Sequence, residues 1–135
     1  MYRAQISNMG GYAFKVKAKG GEFDVDMHGS AGVTPPDVLL ASIGSCIGVY
    51  IRKYVDGAKL TLPEFEVTVE AEFTKEPPAC FKQINVSVDL KGATLDERRR
   101  KAILEFAKNC PVHNTLKGNP EINIVLDNHR TYGIV

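Results

Sequence analysis

Two cysteines in unlike settings hold the chemical interest of this chain. Cys46 lies inside the apolar run Leu39-Leu40-Ala41-Ser42-Ile43-Gly44-Ser45-Cys46-Ile47-Gly48-Val49-Tyr50-Ile51, and Cys110 opens Cys110-Pro111-Val112-His113-Asn114-Thr115-Leu116. They are too distant in sequence for a local metal knuckle. If the fold brings them together, a thiol in an apolar setting faces a second thiol, the minimum for two-cysteine redox chemistry. Taken alone, Cys46 has two open uses, as a small apolar packing residue or as a reactive thiol. Gly44 and Gly48 flank it, and each costs up to about 1 kcal/mol in a helix interior, so another backbone or a substrate is expected close to that face. Ser42 and Ser45 are polar insertions in the same run.

Cys110 precedes a proline, which suits it to the N-cap of a short helix, where free amides and the helix dipole favour a thiolate. His113, three residues on, can donate a hydrogen bond or a positive charge to it, or serve in capping and packing. Cys80, after Pro77-Pro78-Ala79, reads as incidental. Zinc is the rival use of Cys46, Cys110 and His113, as an open three-ligand site. The sequence has neither CxxC nor HExxH, so zinc ranks below redox use and no metal or other cofactor is expected. It also lacks a glycine-rich phosphate loop opening a helix and a serine-centred nucleophile elbow.

These residues must be positioned by one domain spanning residues 1–135, long enough to bury a core without disulfides. Tyr12–Lys17 and Glu22–Met27 alternate with period two and are joined at Lys19-Gly20-Gly21, and an earlier strand near Tyr2–Asn8 precedes Gly10-Gly11. Pro35-Pro36-Asp37 starts a helix. From Val38 to Ile51 no residue is charged and apolar side chains fall on every side. Such a helix is buried all round, yet the run is too short for a bilayer. Since 135 residues supply little to wrap it, a second subunit is expected to cover part of it.

Phe65–Phe73 and Ile84–Leu90 predict a second hairpin across Lys75-Glu76-Pro77-Pro78. Thr94 and Glu97 predict a capping box for a helix whose face Ile103, Phe106, Ala107, Cys110 turns inward. Ile122, Ile124 and Leu126 predict a last strand, and residues 127–135 a tail. The order gives an α+β fold with antiparallel sheet around a long buried helix.

A net charge of +1 gives no reason to expect nucleic acid or an anionic membrane as partner. The run Arg98-Arg99-Arg100-Lys101 follows Asp96-Glu97 and reads as a solvated helix face. No signal peptide opens the sequence and three cysteines make no even disulfide framework, so a reduced, cytoplasmic protein is expected.

The segments Pro35–Cys46 and Cys110–Leu116, at this separation and in this order of elements, resemble the OsmC/Ohr family, the osmotically inducible protein C-like and organic hydroperoxide resistance proteins. The resemblance covers nearly the whole chain. It implies an intertwined homodimer with the long helices packed centrally, and a thiol-dependent peroxidase. Cys46 is then the peroxidatic thiol, Cys110 its resolving partner, an organic hydroperoxide the substrate and a dithiol the reductant. Family peroxidases also carry a glutamate before the first cysteine and an arginine near the N-terminal hairpin. Here Pro36 holds the glutamate's place with Asp37 beside it, and Arg3 is the nearest arginine; Lys15 and Lys17 can substitute only as point charges. Those departures keep two alternatives in view: a non-catalytic redox-sensing or ligand-binding dimer, and a thiol- or zinc-dependent hydrolase.

Overall fold

The computed structural model describes residues 1–126. Three short strands come first: β1 (Ala4–Asn8), β2 (Ala13–Ala18) and β3 (Gly21–Asp26). They form an antiparallel sheet in the order β1-β2-β3, with Ile6 opposite Val16 and Val16 opposite Phe23. Lys19 and Gly20 make the two-residue turn between β2 and β3. Gly10 and Gly11 both take positive φ, +102° and +56°, which is what the β1–β2 reversal needs.

The loop after β3 is folded back by Asp26, whose carboxylate accepts from the amides of His28 and Ala31 and from the Ser30 hydroxyl. Val25 and Val33 then form a parallel bridge. A Cβ on Gly32 would collide with the Asp24 carbonyl, so this crossing requires glycine.

Helix α1 (Pro35–Gly57) follows. Thr34 is its N-cap and Asp37 completes the capping box: each side chain meets the other's backbone N–H. At 23 residues, α1 is longer than its uncharged run and is long and apolar enough, by length and composition alone, to cross a bilayer. The expectation that it was too short therefore fails. Its packing is that of a core helix: β4 (Glu66–Phe73), α2 (Glu97–Ala107) and α3 (Pro111–Lys117) lie against it. Ile51 and Val55 are fully buried with Leu62, Ile103 and Ala107 in the core. The opposite side of α1 is different. Leu39 and Val49 remain 37% and 52% exposed, so one protomer does not bury the helix all round.

Strand β4 pairs with β5 (Phe81–Asp89) as a second, separate antiparallel sheet, with Val67 opposite Val88 and Val69 opposite Val86. The fold is thus α+β with antiparallel sheets, as expected, but with two sheets rather than one. Two local expectations are corrected. Helix α2 is capped by Asp96, whose carboxylate accepts from Arg99 N at 2.8 Å, and not by Thr94; the helix starts one turn's fraction later, where the better capping residue stands. Residues 121–126 form no strand: Ile122, Ile124, Val125 and Leu126 are 79–93% exposed, and among the described residues no strand pairs with them. The expected tail, residues 127–135, lies outside the described residues.

Candidate thiol site

Cys46 sits at the middle of α1, half-buried, on the side that meets α3. Helix α2 ends at Ala107, and two residues later the chain turns so that Cys110 becomes the N-cap of α3. Pro111 at the first helical position fixes that turn. Cys110 is fully buried, and its sulfur accepts from the His113 backbone N–H at 3.5 Å.

The fold brings the two thiols near enough for Cys110 to act on the Cys46 proton. Burial pushes the Cys46 thiol above its ordinary value, and hydrogen bonding to Cys110 pushes it further; the Val112 N–H acts in the opposite direction, and the charge of Lys53 also favours the thiolate. The N-terminus of α3 therefore serves both sulfurs, through the amide of Val112 for Cys46 and that of His113 for Cys110. All three cysteines are free thiols, and Cys80 is exposed just before β5.

His113 follows Cys110 by one turn, and its Nδ1 is buried without a hydrogen-bond partner. It is among the residues that line an apolar groove of about 860 Å³ between β5 and α2. Ile47 and Ile51 of α1 form part of this groove's lining, with Val86 and Val88 across from Ile103 and Leu104. An alkyl chain placed there gains from burial at roughly 25 cal/mol per Å².

The other two sequence candidates lie elsewhere in the protomer. The Asp37 carboxylate is spent on the helix cap, accepting from Thr34 N at 3.1 Å and from Thr34 Oγ1 at 2.7 Å. Those bonds hold it below the usual carboxylate range. It precedes Cys46 by nine residues, or roughly 13 Å along a helix. Arg3 lies at the β1–β2 end of the N-terminal sheet beside Lys17 and Lys19. Lys15 is paired with Asp24 at 2.8 Å. Among the described residues, no three His, Cys, Asp or Glu side chains gather as a metal site.

The glycines beside Cys46 have an explanation other than a substrate. A Cβ on Gly44 would stand 2.9 Å from Val69 Cγ2, and Gly48 faces Phe65 and Val67, so β4 is the neighbour they admit. Ser45 is satisfied within the helix, donating to the Ala41 carbonyl at 2.7 Å. Sequence reading overlooked the Val112 amide and Lys53. The second had a legible signal: Lys53 follows Cys46 by seven residues, two helical turns, on the same face.

The sequence pattern of the OsmC-like protein family matches residues 27–125. No curated protein matches the chain. Among solved structures, an OsmC-like protein from Mycoplasma pneumoniae superposes with a TM-score of 0.75 at 19% identity, over 87% of this chain and 88% of that one. A hypothetical protein from Aquifex aeolicus gives 0.74 at 17% identity, over 87% and 88%. The organic hydroperoxide resistance protein OhrB of Bacillus subtilis gives 0.59 at 21% identity, over 87% and 92%. At these identities the likeness is one of fold, and with the family match over most of its length the chain belongs to the OsmC-like family.

Proposed function

We propose that this protein is a thiol-dependent peroxidase that reduces organic hydroperoxides through Cys46 and Cys110, acting as a homodimer. The observation that carries the reading is the meeting of two thiols from α1 and α3, with an apolar groove lined by their neighbours Ile47 and His113. Family membership and the name borne by the Bacillus neighbour support a redox role.

The Cys46 thiolate attacks one oxygen of the peroxide O–O bond. The bond breaks, the alkoxide leaves and takes a proton as alcohol, and Cys46 becomes a sulfenic acid. The Cys110 thiol then displaces hydroxide from that sulfur, giving a disulfide and water. A dithiol reduces the disulfide by exchange and is itself oxidised to a disulfide. Cys46 is the nucleophile because it is only half-buried, while Cys110 is fully sealed. In this reading the His113 ring, which lines the groove and has an unpartnered Nδ1, donates or accepts a proton during turnover.

The second copy is supported by what the protomer leaves uncovered. Leu39 and Val49 of α1, Ile6 and Phe23 of the N-terminal sheet, and Ile122 to Leu126 are all open to solvent. A cytoplasmic location suits the free thiols.

The test is consumption of an alkyl hydroperoxide with dithiothreitol as reductant. Wild type turns over and Cys46→Ser does not. Without dithiothreitol, Cys110→Ser consumes about one equivalent and stops, and its mass rises by one oxygen. Wild-type protein inert toward alkyl, aryl and lipid hydroperoxides defeats the proposal. One observation favours a second reading, a redox sensor without turnover: burial holds Cys46 toward its protonated form, and neither Arg3 nor Asp37 reaches it in the protomer. Slow, stoichiometric oxidation would mark that case.

A further inference from the structure

We infer that Lys53 is the positioning cation of the cysteine pair: its ammonium, held over the Tyr50 ring on the Cys46 face of α1, supplies the positive charge that a reactive sulfur there requires. This rests on the thiol-peroxidase reading and names a residue that the reading leaves open.

Cys46, Tyr50 and Lys53 stand at i, i+4 and i+7, so they form one stripe of the helix. Helical side chains lean toward the N-terminus, which carries Lys53 back over Tyr50 and toward Cys46. Its Nζ lies 4.6 Å from the Tyr50 ring centroid, a cation–π contact that fixes the long side chain in this direction. Tyr50 is itself held from behind by Phe106 of α2, at a centroid distance of 5.9 Å. The strut is therefore α2 to Tyr50 to Lys53.

The other cations around α1 are engaged elsewhere. Arg52 lies over the Phe65 ring at 5.3 Å and pairs with Asp56. Arg99 of α2 donates to the Tyr54 hydroxyl at 3.3 Å. Lys108 pairs with Glu105 at 2.9 Å. Among the described residues Lys53 has no carboxylate within ion-pair distance. The groups that face Cys46 are Cys110 and the Val112 amide from α3, and Lys53 from its own helix; β4 presents Val67 and Val69 to α1, and its glutamates alternate to the other face. Lys53 also favours the charged form of Cys46, against burial and against Cys110.

The experiment is the pH dependence of Cys46 alkylation by iodoacetamide in the full chain, followed by peptide mass so that Cys80 and Cys110 are read separately. Lys53 is exposed, so Lys53→Met leaves the core intact. It is expected to move the Cys46 titration up by about half a pH unit, a loss of about threefold in thiolate at pH 7. Lys53→Arg restores the wild-type curve, which a purely structural role would not require. A Lys53→Met curve that overlays wild type overturns the inference, as does a curve that moves in Arg3→Met and not in Lys53→Met. Peroxide turnover measured alongside separates the two claims. A shifted titration without turnover in wild type keeps the role of Lys53 and removes the peroxidase. Turnover with an unshifted titration does the reverse.

Discussion

At the scale of the residue, the decisive quantity is the protonation of Cys46. Burial and the Cys110 hydrogen bond raise its titration above the ordinary thiol value of 9.0. The folded protein thus holds this proton more tightly than the unfolded chain. The resulting stabilisation is complete below the unfolded thiol value and is lost as pH rises through the folded one. Thermal melting should accordingly fall more steeply above about pH 9 in wild type than in Cys46→Ser. Parallel alkaline limbs for the two proteins would show that the cysteine contributes nothing to that decline. The same raised value makes the initial rate with a hydroperoxide climb with pH across neutrality. The motif residues Cys46, Cys110 and His113 were legible because each carried a local signal: an apolar run, a Cys-Pro helix start, a histidine one turn on. Asp37 was legible only as a first-turn carboxylate. Whether such a group caps the helix or reaches toward a distant thiol depends on Thr34, whose amide and hydroxyl both donate to its Oδ2.

At the scale of the element, α1 carries two glycines whose substitutions should part ways. Gly44→Ala gains helix propensity of about 1 kcal/mol but drives a methyl against Val69, at 2.9 Å, and overpacking of this kind costs about 1–3 kcal/mol. Gly48→Ala meets only ordinary contacts, the nearest Phe65 Cε2 at 3.7 Å, and keeps the propensity gain. Denaturant unfolding should therefore show Gly44→Ala less stable than wild type and Gly48→Ala equal or more stable. The opposite order would mean that β4 does not press on α1 as described. Thr34→Ala removes the N-cap acceptor and should cost about 1 kcal/mol by the same assay. Periodicity located the elements well, because strands that are half-buried and helices with one apolar face write their faces into the sequence. It misplaced the start of α2, where Thr94 and Asp96 are both acceptable caps and only the path from β5 selects between them. It also assigned a strand to residues 121–126. Alternation of Ile122, Ile124 and Leu126 records an apolar face, not the presence of a partner strand, and the described residues provide none.

At the scale of the molecule, the apolar side of α1 opposite its core contacts sets the last test. Leu39 and Val49 are exposed on one arc of the helix wheel, away from the fully buried Ile51 and Val55, and Cys46 shares that arc while meeting α3 on one side. A second copy seated on that arc would shield Cys46 from water on the side that the protomer leaves open. The exposed three-stranded sheet argues the same way, since a small sheet with Ile6 and Phe23 in solvent needs cover to be stable. Val49 is 52% exposed in the protomer, so a charge placed there is harmless to the monomer and is buried without a partner only if a dimer forms. An unpaired interfacial charge costs about 3 kcal/mol or more, enough to weaken association by about a hundredfold. Val49→Asp should therefore elute as a monomer by light scattering at concentrations where wild type is a dimer, with far-ultraviolet circular dichroism unchanged. Its peroxide turnover should fall as well, because Cys46 then stands at an open surface. A Val49→Asp protein that retains the dimer mass, or a wild type that is monomeric and fully active, would mean that the helix face is left bare in the working molecule and that the site is complete within one chain.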